Sequence, residues 1–215
     1  MKVKWYGHAA FRIEAGGIRI ILDPYKPGAY GGGIGYGRIS DEADLVLVSH
    51  DHDDHAYVQD IKGRFQLIKE EGEWEVKGVK INGINSFHDD RKGKERGRNL
   101  IFVVEAEGLR LAHMGDLGHT LDEQLLKRIG RVDIVLLPVG GLYTIDARAA
   151  DEVMDALGPS FVIPMHYKTE KCGFPIAPVE EFVKGKQYER VDGSEIEIRR
   201  EDLGERRIVV LKHAL

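Results

Sequence analysis

The stretch LVLVSHDHDDH, residues 45–55, joins a continuous apolar run to a cluster of histidines and aspartates. Its first four residues are typical of a short strand buried on both faces. Side chains two residues apart in an extended chain point the same way, so His50 and His52 are placed to reach one metal ion. Asp54 and His55 come where the chain turns, and we expect them to point elsewhere, toward a second ion. The segment therefore predicts a site for two metals behind a buried strand.

Three more polar residues lie just past the ends of predicted strands: His88, Asp116 and His166. Functional side chains of an α/β sheet gather at such strand ends. Two metals with an open position for chemistry need more than four protein ligands, and these residues supply the rest. Imidazole suits Zn, Fe and Ni, and a mixed imidazole and carboxylate set also admits Mn.

Strand and helix patterns along the chain predict a mixed α/β fold with two sheets and helices outside them. Strands are predicted over residues 11–13, 18–22, 45–48, 65–68, 74–76, 79–84, 100–105, 109–112, 134–137, 161–163, 195–198 and 207–211. A capping box at Thr120 predicts a helix through Ile129. Further helices are predicted over residues 146–157 and 178–183. Because no repeat, linker or break in composition is evident, we expect one domain over residues 1–215.

Composition excludes several classes of protein. The chain has 215 residues with 31 Lys and Arg against 36 Asp and Glu, so its net charge of -5 argues against a general nucleic-acid binder. No apolar run approaches the ~18 residues of a membrane span, and residues 1–5 do not resemble a signal peptide. The one cysteine, Cys172, allows no internal disulfide. We therefore expect a cytoplasmic protein without a membrane partner.

The order of these motifs resembles the metallo-β-lactamase superfamily over essentially the whole chain. The HxHxDH motif comes first, and a lone histidine, a Gly-Asp pair (Gly115-Asp116) and a final histidine follow it. The chain is most similar to the small stand-alone branch that includes ascorbate-6-phosphate lactonase, through Gly7-His8-Ala9 and Leu22-Asp23-Pro24. The resemblance implies a four-layer αββα sandwich with a dinuclear metal site at one edge of its sheets.

The resemblance also implies a division of the ligands. One metal would be held by His50, His52 and His88, and the other by Asp54, His55 and His166, with Asp116 bridging both. The implied cofactors are two divalent ions, Zn first, with Mn or Fe as alternatives. The implied function is a metal-dependent hydrolase in which a bridging hydroxide attacks an ester, lactone or phosphodiester.

Four residues have assigned roles beyond metal binding. Asp54 is expected to orient the hydroxide as well as to bind metal. Asp23 is expected to hold a ligand histidine by a hydrogen bond, with a turn cap before Pro24 as the alternative. His8 is expected to contact substrate or donate a proton, unless it is a structural turn residue. His119 is a candidate proton donor to a leaving group, with packing at a helix entry as the alternative.

Substrate recognition is less defined by the sequence. A small-molecule substrate is expected, and an anionic one would find cations at Lys94, Arg96 and Arg98, which otherwise are solvated loop charges. The glycine-tyrosine loop (residues 28–37) is either a flap over the site or a flexible surface loop. This loop and Leu117 depart from the lactonase pattern, so lactonase activity is not carried over. The alternative functions are a non-heme iron redox or dioxygenase protein and a non-catalytic metal-binding protein; a homo-oligomer stays open.

Overall fold

A computed structural model describes all 215 residues as fourteen strands and four short α-helices. The strands are β1 Lys2–Gly7, β2 Ala10–Ala15, β3 Ile18–Leu22, β4 Leu45–Leu47, β5 Gln66–Ile68, β6 Gly72–Val76, β7 Val79–Phe87, β8 Arg98–Ala106, β9 Leu109–His113, β10 Ile134–Pro138, β11 Phe161–Met165, β12 Glu189–Arg190, β13 Glu195–Glu197 and β14 Arg207–Val210. The helices are α1 Ala29–Gly32, α2 Glu123–Ile129, α3 Ala147–Leu157 and α4 Val179–Val183, and a 3-10 turn covers Arg200–Asp202.

The strands form two sheets, as the sequence predicts. The first has the order β13-β1-β2-β3-β4-β5, and the second has the order β12-β14-β11-β10-β9-β8-β7-β6. In the second sheet β6 to β9 form an antiparallel meander, whereas β9, β10, β11 and β14 run parallel. In the first sheet β3, β4 and β5 are parallel.

Alternation along β4 explains how the layers pack. Leu45 and Leu47 join the larger apolar core, which draws on strands of both sheets, while Val46 and Val48 join a smaller core on the other face. Both faces of this strand are thus buried, as its unbroken apolar sequence predicts. The larger core runs from Met1 to Leu211. The expectation of one domain agrees with this span and stays a prediction.

Helices α2, α3 and α4 lie on the side of the second sheet. Helix α3 begins after Asp146, whose carboxylate accepts a hydrogen bond from the backbone N–H of Ala149 at 2.9 Å, and it packs buried apolar side chains against β10. The predicted start of helix α2 was wrong. The capping residue is Asp122, not Thr120, and its carboxylate accepts a hydrogen bond from the N–H of Leu125 at 2.8 Å. An Asp placed directly before the first helical turn satisfies a free N–H of that turn. The helix therefore begins after Asp122, and the residues before it are not helical.

The predicted arrangement of two sheets is present, but the expected four-layer αββα order differs in one outer layer. The outer face of the first sheet is covered mainly by irregular chain, and the only helix there is the four-residue α1. Strands β3 and β4 are parallel and end at one edge of the first sheet. Strands β7, β9 and β11 end at one edge of the second sheet, because β7 is antiparallel to β8 and β8 to β9. These edges adjoin, since the N–H of Leu100 donates to the carbonyl of Ser49 just after β4. None of the helices has the length and apolar character that crossing a membrane requires.

Candidate metal centre

The HxHxDH motif forms a tight turn directly after β4. The backbone N–H of His55 and of Ala56 both donate to the carbonyl of His52, and the N–H of His52 donates to the carbonyl of His50. The spacing of His50 and His52 predicted an extended chain. In the structure the two residues instead approach each other across a turn. Their ring centroids are 4.5 Å apart.

His88 completes a first group of imidazoles. It follows β7, and its ligand atom and those of His50 and His52 all lie within 4.8 Å of one another. Burial and neighbouring His55 lower the pKa of His50 to about 3, and burial with neighbouring His88 also lowers the pKa of His52. Both imidazoles are therefore neutral at pH 7, which is the form that binds a metal.

A second group contains Asp54, His55, His166 and also His8. His8 donates from Nε2 to Oδ2 of Asp54 at 3.1 Å, and its ring centroid lies 4.1 Å from that of His166. Burial and His166 lower the pKa of His8 to about 4, although Asp54 acts in the opposite direction. The structure thus places His8 inside the cluster, where the sequence left open whether it lay at the site or in a structural turn.

Asp116 lies between the two groups. Its carboxylate is 3.2 Å from Nε2 of His88, 3.4 Å from Nε2 of His166 and 3.2 Å from Nε2 of His55. Two ligand atoms bound tetrahedrally about 2.0–2.1 Å from one Zn²⁺ are about 3.3 Å apart. The side chain is 2% exposed, so water does not compete for its oxygens.

Partnerless polar atoms converge on this point. Nε2 of His50, Nε2 of His55 and Oδ1 of Asp116 are all buried and have no hydrogen-bond partner within the protein. The 3.2 Å approach of His55 Nε2 to Asp116 Oδ1 lacks hydrogen-bond geometry, and a buried polar atom left unsatisfied costs roughly 1–3 kcal/mol, so a ligand shared by the three atoms would satisfy them. Burial lowers the pKa of His55, but Asp116 and Asp54 outweigh burial and raise that pKa well above its usual value. Without a metal, a proton thus supplies the cation that these carboxylates require. The donor set fits a divalent ion.

Asp23 connects two of the histidines from behind. Its Oδ2 accepts from Nδ1 of His55 at 2.9 Å and from the hydroxyl of Ser49 at 2.6 Å, while Oδ1 accepts from the N–H of Ser49 at 2.7 Å. Ser49 Oγ in turn lies 2.9 Å from Nδ1 of His50. The contact predicted between Asp23 and a ligand histidine is therefore present. Ser49 was not predicted as a site residue. Its position between a buried strand and the first histidine of the motif could have indicated that its hydroxyl bonds to that histidine.

Asn99 and His113 hold the loop that carries Asp116, and the sequence assigned no role to either. Oδ1 of Asn99 accepts from the N–H of Asp116 at 2.9 Å, and its Nδ2 donates to the carbonyl of Met114 at 2.9 Å. Nδ1 of His113 accepts from the N–H of Gly115 at 3.1 Å, and Nε2 donates to the carbonyl of Ala9 at 2.9 Å. Both side chains are fully buried, so this loop has little freedom.

The backbone around the cluster is strained and tightly packed. His8, Asp23 and His166 have φ of 52°, 44° and 51°, which non-glycine residues rarely adopt. Such strain persists where surrounding contacts impose it, and it concentrates at functional sites. A Cβ at Gly118 would lie 2.3 Å from the carbonyl carbon of His88, so the loops bearing His88 and Asp116 touch through backbone atoms.

A cavity of about 300 Å³ opens onto the cluster. Five of its lining residues belong to the cluster, namely His52, Asp54, His88, Asp116 and His166. The other four are Tyr30, Arg96, Tyr143 and Phe174. The hydroxyl of Tyr30 donates to Oδ1 of Asp54 at 3.2 Å. Burial and Asp54 raise the pKa of Tyr30 to about 12, so it stays a phenol at neutral pH.

The glycine-tyrosine loop forms one wall of this cavity. The N–H of Gly173 donates to the carbonyl of Gly33 and the N–H of Gly35 to the carbonyl of Lys171, both at 2.8 Å. A Cβ at Gly33 would lie 2.7 Å from the ring of Phe174. The loop is therefore paired with residues 171–174, and its Tyr30 lines the cavity, an arrangement that favours the flap over the site between the two alternatives.

His119 is not brought into the cluster. Its Nε2 accepts from the N–H of Phe87 at 3.3 Å, and its Nδ1 donates to the carbonyl of Thr120 at 2.7 Å. The side chain lines a different cavity, together with Asp90 and Arg128. Both ring nitrogens are thus engaged by backbone. The packing alternative describes this residue better than the predicted proton donor does.

Comparison with known proteins identifies relatives of this chain. A family model described as a β-lactamase superfamily domain matches residues 2–166. UPF0173 metal-dependent hydrolases of Thermococcus onnurineus and Carboxydothermus hydrogenoformans are each 33% identical, over 79% of this chain and 85% of theirs. A protein of Thermotoga maritima, inferred to be a Zn-dependent hydrolase of the metallo-β-lactamase superfamily, has a known crystal structure. Its sequence is 40% identical to this chain. It covers 98% of this chain and 97% of its own, with a TM-score of 0.82.

Proposed function

We propose a function from one premise: the chain belongs to the metallo-β-lactamase superfamily, whose family model covers most of it. It is a metal-dependent hydrolase, as its relatives are named. The finer proposal is that two divalent ions bind, that a hydroxide between them is the nucleophile, and that the bond cleaved is an ester, lactone or phosphodiester. The observation that carries it is Asp116, which lies within 3.4 Å of imidazoles from both histidine groups.

The proposed ligand sets follow the two groups. His50, His52 and His88 would hold one ion, Asp54, His55 and His166 would hold the other, and Asp116 would bridge them. When bound, such ions polarise the attacked oxygen and lower the pKa of water toward neutrality. A set of imidazoles and carboxylates favours Zn, with Mn or Fe as alternatives that availability decides.

The remaining residues act by orientation. Asp54 accepts hydrogen bonds from Nε2 of His8 and from the hydroxyl of Tyr30, which together fix the plane of its carboxylate. A carboxylate held in this way can both bind a cation and direct a water proton away from the attacked atom. Asp23 fixes the tautomer of His55 from behind, so that Nε2 faces the cluster with its lone pair. His8 does not itself line the cavity, so its hydrogen bond to Asp54 makes it a positioning residue.

The size of the cavity favours a small molecule over a polymer. At about 300 Å³ it is at the lower end of the range of ligand pockets. The wall of residues 171–174 and the glycine-tyrosine loop close one side of it. The cytoplasmic location and any homo-oligomer stay predictions.

Metal content per chain tests the proposal directly. The protein is purified without chelator and analysed by elemental analysis, alongside His52→Ala, Asp116→Ala and the control Asp51→Ala. Asp51 belongs to the same turn, but it is exposed and pairs with Lys69 at 3.2 Å. We expect about two metals in the wild type and the control, and clear loss in the other two.

Hydrolysis of esters, lactones and phosphodiesters is then screened with the metal found. A protein that contains metal but hydrolyses none of these substrates, and whose metal holds no exchangeable water, would favour the non-catalytic alternative. A visible absorption band or a paramagnetic signal from the purified protein would favour the iron redox alternative. Protein that neither contains metal nor takes up Zn or Mn would refute the proposed mechanism.

A further inference from the structure

The cavity over the metal cluster has an uneven distribution of charge. Two carboxylates and three histidines form its floor, and these side chains would coordinate a bound metal. Arg96 is the one Lys or Arg among the lining residues, and it lies beside Tyr143, with its guanidinium carbon 5.8 Å from the ring centroid. Arg96 also lines the neighbouring cavity of about 560 Å³ on the other side of His52. This side chain therefore stands where the two cavities meet.

Arg96 lacks a carboxylate partner of good geometry. The nearest is Glu95, whose oxygen lies 3.9 Å away, and that residue already pairs with Arg91 at 3.1 Å. The guanidinium of Arg96 makes no hydrogen bond within the protein, although its side chain is only 35% exposed. A half-buried guanidinium with five unused donors is suited to bidentate binding of a carboxylate.

Asp89 holds the backbone that carries Arg96. Its buried carboxylate accepts from four backbone N–H groups, those of Arg91 and Gly93 on one oxygen and those of Glu95 and Arg96 on the other, at 2.8–3.0 Å. Because Asp89 follows the predicted ligand His88 directly, the loop is fastened next to the cluster. The backbone that carries Arg96 is thus fixed, so only the side chain has to be ordered when the guanidinium binds an anion.

Opposite the cluster, aromatic rings form an apolar wall. Phe174 lies 5.7 Å from Tyr143 and 5.6 Å from Tyr30, ring centroid to ring centroid, and both pairs meet edge to face. Phe174 and Tyr143 are half-buried and offer surface to the cavity. Rings at this spacing favour a planar apolar group between them and the floor.

We propose that Arg96 is a specificity-determining residue that binds a carboxylate of the substrate, while Tyr143 and Phe174 contact an apolar ring of the same molecule. The substrate class is therefore an ester or lactone of a ring-containing molecule that bears one carboxylate. Arg96 is the one cationic side chain that lines this cavity, so it offers a binding position for one carboxylate. This inference rests on the proposed hydrolase function and makes it more specific.

Two esters that differ only in the carboxylate test the inference in the metal-loaded protein. Phenyl acetate is neutral, and 4-acetoxybenzoate carries the charge on the ring. We expect Arg96→Gln to lower kcat/KM for 4-acetoxybenzoate about tenfold or more, the usual size of a charged hydrogen bond, and to leave phenyl acetate within about twofold. Arg96→Lys should fall between, because an ammonium keeps the charge but loses the bidentate fork.

Direct binding separates this inference from the function on which it rests. Calorimetric titration of the same proteins with 4-hydroxybenzoate and with phenol needs no turnover. We expect 4-hydroxybenzoate to bind the wild type more tightly than phenol does, and Arg96→Gln to remove the difference. Phe174→Leu should weaken both ligands by a similar factor. The control Arg91→Gln changes an exposed arginine of the same loop and should alter neither.

Each possible result supports or refutes one part of the inference. If neither ester is hydrolysed but 4-hydroxybenzoate binding still depends on Arg96, the hydrolase proposal for such esters fails and the carboxylate site stands. If Arg96→Gln weakens both ligands equally, or neither, the carboxylate site is refuted. If Phe174→Leu changes neither ligand, the ring contact is refuted.

Discussion

Nδ1 of His55 donates a hydrogen bond to Oδ2 of Asp23 at 2.9 Å, and both side chains are fully buried. In the neutral imidazole that binds a metal, this contact puts the one proton of His55 on Nδ1, so the lone pair of Nε2 faces Asp54 and Asp116. Burial raises the pKa of Asp23, but His113 and His55 outweigh it, so the pKa lies below its usual value and the carboxylate stays ionised. The orientation of one face of the cluster thus depends on a fully buried residue.

Asp23→Asn should weaken metal binding about 10- to 100-fold, the usual cost of losing such an outer contact. An amide offers one acceptor oxygen where the carboxylate accepts from His55 and twice from Ser49. Zinc affinity is measured by competition with a chromophoric chelator. Asp146→Asn removes one charge from a remote helix cap, where Asn caps equally well, and should bind zinc as the wild type does. Equal affinity of Asp23→Asn and the wild type would contradict the role assigned to Asp23.

Gly118→Ala should disrupt the site without replacing any proposed ligand side chain. The added Cβ would lie 2.3 Å from the carbonyl carbon of His88 and 2.4 Å from the N of Asp89, and backbone atoms cannot rotate away. We expect a lower unfolding midpoint and less than the wild-type metal content. Gly204→Ala, whose Cβ would meet nothing within 4 Å, is the matched control. Normal metal content in Gly118→Ala would show that the two loops can separate freely.

Metal binding should release protons. In the metal-free protein the pKa of His55 is raised well above its usual value because Asp116 and Asp54 outweigh burial, and Asp116 likewise raises the pKa of His88 against burial. His55 is therefore protonated at pH 7, and a metal must displace that proton, so apparent affinity should rise with pH. Zinc titration of chelator-treated protein in weak buffer with a pH indicator measures the release.

Two variants assign the released protons. His55→Gln should release fewer protons per metal, whereas His213→Ala, which removes a histidine paired with Glu170 far from the cluster, should release the wild-type number. Zinc binding with no proton release at pH 7 would contradict the protonated state assigned to His55.

Asp89→Asn should destabilise the metal-free protein in a pH-dependent way. Burial raises the pKa of Asp89, but hydrogen bonds from four backbone amides outweigh it and lower the pKa from 3.8 to about 2. A carboxylate with a depressed folded pKa stabilises the fold above its unfolded pKa, and that contribution is lost as pH falls through the folded pKa. Urea midpoints of wild type and variant should therefore differ at pH 7 and converge between about pH 4 and pH 2. Coincident midpoints at pH 7 would refute this.

The amino-acid sequence by itself determined the identity of the proposed ligands and the class of fold. Apolar runs of strand length, each followed by a histidine or aspartate, are local patterns, and parallel strands bring such ends to one edge. The turn geometry of residues 50–55 was different from the predicted extended chain, yet the same imidazoles meet. Local hydrogen bonds, not the period of a strand, bring them together.

Only the tertiary structure decided what surrounds the metal cluster. Asp23 and Ser49, Asn99 and Asp116, and Arg96 and Tyr143 are separated by 17 to 47 positions along the chain. No periodicity joins such pairs, because each depends on which loops the two sheets bring to the same edge. For the same reason His8 proved to lie in the cluster and His119 outside it, although both are histidines in loops. Spacing along the chain limits which residues can bind a metal, and packing between distant segments decides which of them do.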